Sequence, residues 1–140
     1  MMTFSVKANR IDAAGSMVEA KQTQLVIDTG MAGRPDALNP VELLLAALAA
    51  CLIKGIERVA PSISLDFESV QVSLTAHRPV DEARIEDITY AVVVSTAADQ
   101  GKLDLLHKNL TKHGTIYNTV KSGTKLSGTV TAAPERPPLH

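Results

Sequence analysis

Residues 39–60 read NPVELLLAALAACLIKGIERVA, and this stretch predicts one long helix with a sharp beginning. Asn39 suits the N-cap position and Pro40 suits the first helical position. Glu42 stands three residues after Asn39, where its carboxylate can reach the Asn39 amide in a capping box. Residues 43–53 carry no charged or strongly polar side chain. The sequence therefore predicts a helix that is buried on all sides.

This apolar run is too short to cross a membrane, because a membrane-spanning helix needs about 20 apolar residues. The first ten residues, MMTFSVKANR, lack the apolar region of a signal peptide, so we expect a cytoplasmic location. Cys51 is the single cysteine of the chain. It cannot form an internal disulfide, which fits a reducing compartment and argues against a cysteine-rich zinc site.

The composition excludes several classes of partner. The net charge is -1 and aromatic residues make up 3% of the chain, without tryptophan. Neither a basic nucleic-acid footprint nor an aromatic base-stacking surface is indicated, and no polybasic segment points to a membrane surface. His107 and His113 are six residues apart, a poor spacing for a shared metal, and His77 and His140 complete no ligand cluster. We therefore expect no metal and no cofactor.

A helix that is apolar on all sides needs two covering layers. One sheet covers one face, and a second copy of the chain would supply the other layer. We accordingly predict a homodimer with this helix near the interface. The alternative is that a later helix of the same chain covers the second face.

The remaining chain predicts a mixed α/β (α+β) fold with the order three strands, helix, two strands, helix, strand. The segment near Glu68 and Ser69 is expected to hold a bulge or break, because apolar residues change parity there. Asp99 is expected to open the second helix and Gly114 to end it. The predicted strands are 3–11, 17–22, 24–28, 70–76, 88–97 and 125–131, with further helical turns over 115–121.

Two segments together resemble the OsmC/Ohr family: NPVELLLAALAACL, and later LHKNLTKHGTIYNTVKSGTKLSGTV. Family members begin the central helix with Asn/Ser-Pro and place a cysteine eleven residues after the proline, as Pro40 and Cys51 do here. The resemblance implies an OsmC-like fold and an intertwined homodimer with its sites at the subunit interface. The length of 140 residues predicts a single domain, over residues 1–133, and the composition of PERPPLH predicts a loose tail over 134–140.

Active members of that family serve in oxidative-stress defence and reduce organic hydroperoxides with a thiol. The resemblance assigns the attacking thiol to Cys51, whereas the family's second, resolving cysteine falls on Gly114. The glutamate that follows the proline falls on Val41. Glu42 does not replace it, because nine residues of helix place Glu42 and Cys51 on opposite sides. The expected activity is therefore that of a one-cysteine peroxidase, which needs an external thiol reductant.

The predicted catalytic residues are Cys51 and Arg34, the latter as the cation that favours a thiolate; Arg10 is the alternative arginine. Leu48 and Tyr117 are predicted to line the substrate pocket. Against this stands a structural interpretation, in which apolar neighbours disfavour a thiolate and Cys51 is a small packing residue. The alternative function is then a non-catalytic homodimer that binds small molecules in the interfacial pocket. A subunit that partners a different protein is a third hypothesis.

Overall fold

The computed structural model describes residues 1–134, so nearly all of the tail predicted for residues 134–140 lies outside the described part. The chain forms two compact units, residues 1–44 and residues 45 onward, which are described separately; the prediction of a single domain over 1–133 stays a prediction. The elements are β1 (Lys7–Asp12), β2 (Gly15–Ala20), β3 (Thr23–Ile27), α1 (Pro40–Val59), a 3-10 turn (Ala60–Ile63), β4 (Ser69–His77), β5 (Asp87–Ser95), α2 (Gln100–His113), α3 (Thr115–Lys121) and β6 (Lys125–Ala133).

The start of α1 confirms the predicted capping box. The Asn39 amide donates to Glu42 Oε1 at 2.9 Å, and the Glu42 amide donates to Asn39 Oδ1 at 2.9 Å. The side chain of each residue thus accepts a hydrogen bond from the backbone amide of the other, which satisfies two N–H groups at the helix start. Within residues 1–134, no helix combines the length and the apolar content needed to cross a bilayer.

Within one chain α1 is covered on one face, so its burial on all sides depends on the predicted second copy and stays a prediction. Leu48, Leu52 and Ile56 are fully buried, but Ala50 and Ile53 on the opposite face are exposed. The buried face packs on the core of the second unit. It is the one face of the helix that this chain covers. An apolar stripe on α1 is therefore left uncovered by the chain itself.

The first unit is an antiparallel meander in the order β1-β2-β3. Its first strand begins at Lys7 rather than at the predicted Thr3, because pairing with β2 starts at Lys7 opposite Glu19. Phe4 and Val6 precede that pairing and are 82% and 71% exposed. The alternation that predicted a longer strand is present, but no neighbouring strand within the sheet pairs with it.

The second unit contains the sheet β4-β5-β6, in which β5 is central. β4 runs antiparallel to β5 in unbroken register from Ser69, and β6 runs parallel to β5. The predicted break at Glu68 and Ser69 is where β4 begins. One face of the sheet packs with α1 and α2 to form the core of the unit. The buried core side chains include Leu52, Ile56, Ile88, Val92, Val94, Leu103, Leu106, Leu110 and Val130.

Helix α2 has the predicted limits. The Asp99 side chain accepts from the Lys102 amide at 2.9 Å, which satisfies a free N–H of the first turn. Gly114 ends the helix, and α3 follows directly. Gly55 allows α2 to approach α1, because a β-carbon at this position would lie 2.8 Å from Leu110 Cδ2.

Candidate functional site

Cys51 is half-buried on α1 and packs against the core of the second unit. Its sulfur faces the junction between α2 and α3. A β-carbon built on Gly114 would stand 3.2 Å from Cys51 Sγ. The position predicted to correspond to a second cysteine therefore lies directly against the only thiol of the chain.

Gly114 owes its place to the close packing of this junction. Its φ of -77° and ψ of 116° are ordinary for any residue. The Gly114 amide donates to the Leu110 carbonyl at 3.1 Å, and its own carbonyl accepts from the Asn118 amide at 2.8 Å. A β-carbon here would approach the Leu110 carbonyl and Tyr117 Cβ to 3.0 Å each. Glycine is therefore favoured by space rather than by backbone conformation.

Tyr117 lies next to this junction, and its ring belongs to an aromatic cluster. The Tyr90 and Tyr117 rings meet edge-to-face, with centroids 6.1 Å apart. Tyr90 also meets the His107 ring edge-to-face at 5.7 Å. The Tyr90 hydroxyl and His107 Nε2 share a hydrogen bond of 2.7 Å. Tyr90 thus connects the Tyr117 ring of α3 with the His107 ring of α2.

Burial keeps both members of this hydrogen bond uncharged. Desolvation raises the pKa of Tyr90 far above its ordinary value, and the neighbouring Tyr117 adds to the rise. Desolvation lowers the pKa of His107, partly offset by the carboxylate of Asp104. Near neutral pH, the pair is therefore a phenol and a neutral imidazole.

The cluster opens on a cleft of about 440 Å³. β6 supplies Ser127 and Gly128 to its wall, and α2 supplies most of the remainder. Gly128 is opposite Tyr90 in the parallel register, and a β-carbon there would come within 2.3 Å of the Tyr90 ring and carbonyl. Only glycine leaves the Tyr90 ring in this place. The α2 residues of the wall are Asp104, His107, Lys108 and Thr111.

Sequence reasoning missed Tyr90 and treated His107 as an ordinary helix histidine. The two lie 17 residues apart on different elements, so their contact follows from packing. A glycine inside the strand β6 was the available signal, since a strand glycine often marks close approach of another group. Within the described chain, no group of three or more His, Cys, Asp or Glu side chains is placed to hold a metal ion.

Arg34 lies in the first unit, in the loop before α1, and its guanidinium is paired with Asp36. Nε donates to Asp36 Oδ1 at 2.6 Å and Nη2 donates to Oδ2 at 2.8 Å. This hydrogen bond lowers the pKa of Asp36 and raises that of Arg34. The Arg34 amide donates to the buried Asp28 carboxylate at 3.1 Å, which fixes the loop. The arginine is thus held in place by its own loop.

The structure places the remaining residues considered for the site, Leu48, Arg10 and Glu42, in three different environments. Leu48 is fully buried in the core of the second unit. Arg10 lies on the exposed strand β1, opposite Ser16. Glu42 is occupied by the capping box. The assignments of Arg34, Leu48 and Tyr117 to one catalytic site stay predictions.

Comparison with known proteins now identifies the family of the chain. Residues 33–128 match the family model described as OsmC-like protein. No curated protein sequence matches the chain significantly. The matched segment covers the helix with Cys51 and the junction at Gly114.

Solved structures share the fold at low sequence identity. The OsmC-like protein from Mycoplasma pneumoniae is 18% identical with a TM-score of 0.85, and covers 94% of this chain and 98% of its own. An organic hydroperoxide resistance protein OsmC from Legionella pneumophila is 17% identical with a TM-score of 0.70, covering 95% and 98%. OhrB of Bacillus subtilis, an organic hydroperoxide resistance protein, is 16% identical with a TM-score of 0.69, covering 92% and 98%. The predicted OsmC-like fold is confirmed, and the chain belongs to the OsmC-like protein family.

Proposed function

We propose that this protein reduces small organic hydroperoxides as a one-cysteine, thiol-dependent peroxidase in oxidative-stress defence, with Cys51 as the attacking group. The family and two relatives named for organic hydroperoxide resistance support this class of substrate.

The observation that carries the proposal is the contact between Cys51 and Gly114. The β-carbon of a residue at position 114 would lie 3.2 Å from Sγ, the kind of approach that a pair of reacting cysteines needs. This supports the assignment of Cys51 to the attacking position and of Gly114 to the resolving position. The chain therefore keeps the first thiol and lacks the second.

The proposed chemistry has three balanced steps. The Cys51 thiolate attacks one peroxide oxygen, so that an S–O bond forms, the O–O bond breaks and the alkoxide leaves as an alcohol after taking a proton. An external thiol then displaces hydroxide from the sulfenic acid as water and forms a mixed disulfide. A second external thiol releases Cys51 and leaves as part of a disulfide. The external thiol is oxidised and the peroxide is reduced, without a cofactor.

A thiolate needs a positive partner or hydrogen-bond donors, and Arg34 remains our predicted cation. Two of its nitrogens donate to Asp36, and Nη1 is the nitrogen of the fork that makes no hydrogen bond to that carboxylate. In this proposal Asp36 orients the arginine, as a carboxylate does for a planar guanidinium fork. The apolar pocket assigned to Leu48 and Tyr117 would receive the organic part of the peroxide.

The exposed apolar surface supports a homodimer. Phe4 and Val6 of the first unit and Ile53 of α1 present large aliphatic or aromatic side chains to solvent. Segments of 44 residues rarely bury a sufficient core alone, and the first unit buries one large aliphatic side chain, Ile27, among its described residues. A second copy of the chain would cover these surfaces.

The absence of a second cysteine favours one rival, a non-catalytic homodimer that binds small molecules. Glycine at position 114 and the Asp36 pair of Arg34 are the observations on its side. The two functions differ in turnover, which a direct assay measures.

The test is steady-state consumption of cumene hydroperoxide with a dithiol as reductant. We expect turnover by the natural protein and none by Cys51→Ser. Arg34→Gln should slow turnover by about tenfold or more, because loss of a neighbouring positive charge reduces the thiolate fraction. Arg84→Gln, on an exposed turn beside Glu82, is the matched control and should leave the rate unchanged. Equal rates for the natural protein and Cys51→Ser would overturn the proposal.

A further inference from the structure

Asp28 is a buried carboxylate that organises the loop carrying Arg34. It follows β3 directly and is 7% exposed. Its Oδ1 accepts from the Gly30 amide and its Oδ2 accepts from the Arg34 amide, at 3.1 Å each. The Asp28 amide donates to the Leu38 carbonyl at 2.9 Å. Asp28 thus holds the loop near its start, in its middle and at its end.

This loop packs on the turn between β1 and β2. The Ser16 and Thr29 hydroxyls share a hydrogen bond of 2.7 Å. A β-carbon on Gly30 would lie 2.8 Å from the Ala13 carbonyl oxygen, so the two backbones are in close contact. Closely packed atoms leave little room for a shift. The loop is therefore fixed against the first hairpin.

Gly15, the first residue of β2, leaves the space that the Arg34 guanidinium occupies. A β-carbon on Gly15 would lie 2.8 Å from Arg34 Nη1 and 3.1 Å from the Ile27 carbonyl oxygen. Within residues 1–134 the glycine with a positive φ is Gly33, so backbone conformation does not require glycine at position 15. Glycine is favoured there because a β-carbon would displace the guanidinium.

Both ends of the Arg34 residue are therefore held. The Asp28 carboxylate binds its backbone amide, while its guanidinium binds Asp36 and lies against Gly15. The Arg34 side chain is nevertheless 29% exposed, so part of it faces away from these contacts. A long side chain that is fixed before it meets its target loses less conformational freedom on contact.

We propose that Gly15 and Asp28 are positioning residues for Arg34, which acts on the Cys51 thiolate. Asp28 sets the backbone of the loop, and Gly15 leaves room for the guanidinium. This inference rests on the proposed function, in which Arg34 is the cation that favours the thiolate. A carboxylate alone disfavours a nearby thiolate, so Asp28 can promote ionisation of the thiol only through Arg34.

The test is the rate at which iodoacetamide alkylates Cys51 in the reduced, full-length protein, without any peroxide. The rate follows the thiolate fraction at about pH 7, whereas an ordinary thiol is already ionised at about pH 10. Gly15→Ala should slow the reaction about threefold or more at the lower pH and leave it unchanged at the higher pH. Gly123→Ala is the matched control, because a β-carbon there meets no atom of residues 1–134 within 4 Å.

Asp28→Asn tests the loop anchor with a side chain of the same size. An amide offers one acceptor oxygen, so one of the two loop amides loses its partner. The variant should slow alkylation at about pH 7, whereas a direct effect of the lost negative charge would speed it. Faster alkylation would therefore overturn the role of Asp28. Asp81→Asn, exposed in the turn after β4, is the control for the change of charge.

Arg34→Gln should slow alkylation about tenfold at about pH 7, and adding Gly15→Ala to it should cause no further change. A double variant that multiplies the two effects would overturn the inference, because Gly15 would then act on the fold and not through Arg34. Slow alkylation in Arg34→Gln with unchanged rates in Gly15→Ala and Asp28→Asn would overturn it and leave the role of the arginine in place. An unchanged rate in Arg34→Gln would overturn both.

Discussion

Gly114 stands so close to Cys51 that a β-carbon on the glycine would lie 3.2 Å from the cysteine sulfur. In our proposal these are the attacking and resolving positions of the family, and only Cys51 carries a thiol. The two residues are 63 positions apart in the sequence, and the packing of the α2–α3 junction against α1 brings them together.

Gly114→Cys is therefore expected to create a working cysteine pair. After exposure to stoichiometric hydroperoxide, the variant should form an intramolecular disulfide with Cys51, seen by intact-mass analysis as the loss of two hydrogens. Gly114→Ser is the matched control for the added β-carbon. Both variants should lose about 1–3 kcal/mol of unfolding free energy in urea, because the new atom crowds Leu110 and Tyr117. Reduced thiols that persist in the folded Cys variant would contradict the assigned geometry.

Ile53→Glu is expected to disrupt the homodimer. Ile53 is 39% exposed on the uncovered face of α1, and a charge buried in a subunit interface is costly. Sedimentation should show a shift from dimer toward monomer at micromolar concentration. Leu105→Glu is the control, because Leu105 is 45% exposed and lies on α2 rather than on α1. A monomeric natural protein would refute the proposed assembly.

Glu42→Gln tests whether Glu42 is structural. A glutamine completes a capping box as glutamate does, so the variant should keep its thermal stability and its peroxidase rate. Glu42→Ala should lose about 1 kcal/mol of unfolding free energy, comparable with the loss of an N-cap. A large fall in rate for the stable Gln variant would show that the carboxylate charge takes part in catalysis.

The stability of the protein should fall in mild acid through His107. Burial lowers the pKa of His107 in the folded chain, so the unfolded chain takes up its proton first as the pH drops through about 6.5. The free energy of unfolding therefore keeps its full value above about pH 6.5 and decreases as the pH falls below it. His107→Gln should flatten the dependence of unfolding free energy on pH between about 8 and 5, whereas exposed His113→Gln should not. Parallel curves for the natural protein and His107→Gln would contradict the assigned burial.

Local signals in the sequence predicted much of this fold. Asn39 and Glu42 marked the start of α1, and Asp99 and Gly114 marked the limits of α2. Each of these residues caps or ends a helix through contacts with residues a few positions away in the sequence. Its effect can therefore be predicted without the tertiary structure.

The remaining features depend on distant partners. The Tyr90–His107 hydrogen bond follows from the packing of α2 on the sheet, and the position of Gly128 beside Tyr90 follows from strand register. Sequence pattern alone left two sources open for the second apolar layer, a second copy of the chain or a later helix of the same chain, and the exposure of Ile53 shows that the same chain does not cover that face. Arg34 was correctly placed in a loop before α1, but its pairing with Asp36 requires the geometry of the loop.

The most direct test of the central claim is intact-mass analysis of the reduced protein after brief exposure to stoichiometric cumene hydroperoxide, with a sulfenic-acid trap present. Cys51→Ser is the control. We predict rapid and complete trapping of one adduct on Cys51 and none on the variant, because a thiolate at this site attacks the peroxide oxygen. A folded protein that gives no adduct would contradict the account, and Cys51 would then be a packing residue of a non-catalytic family member.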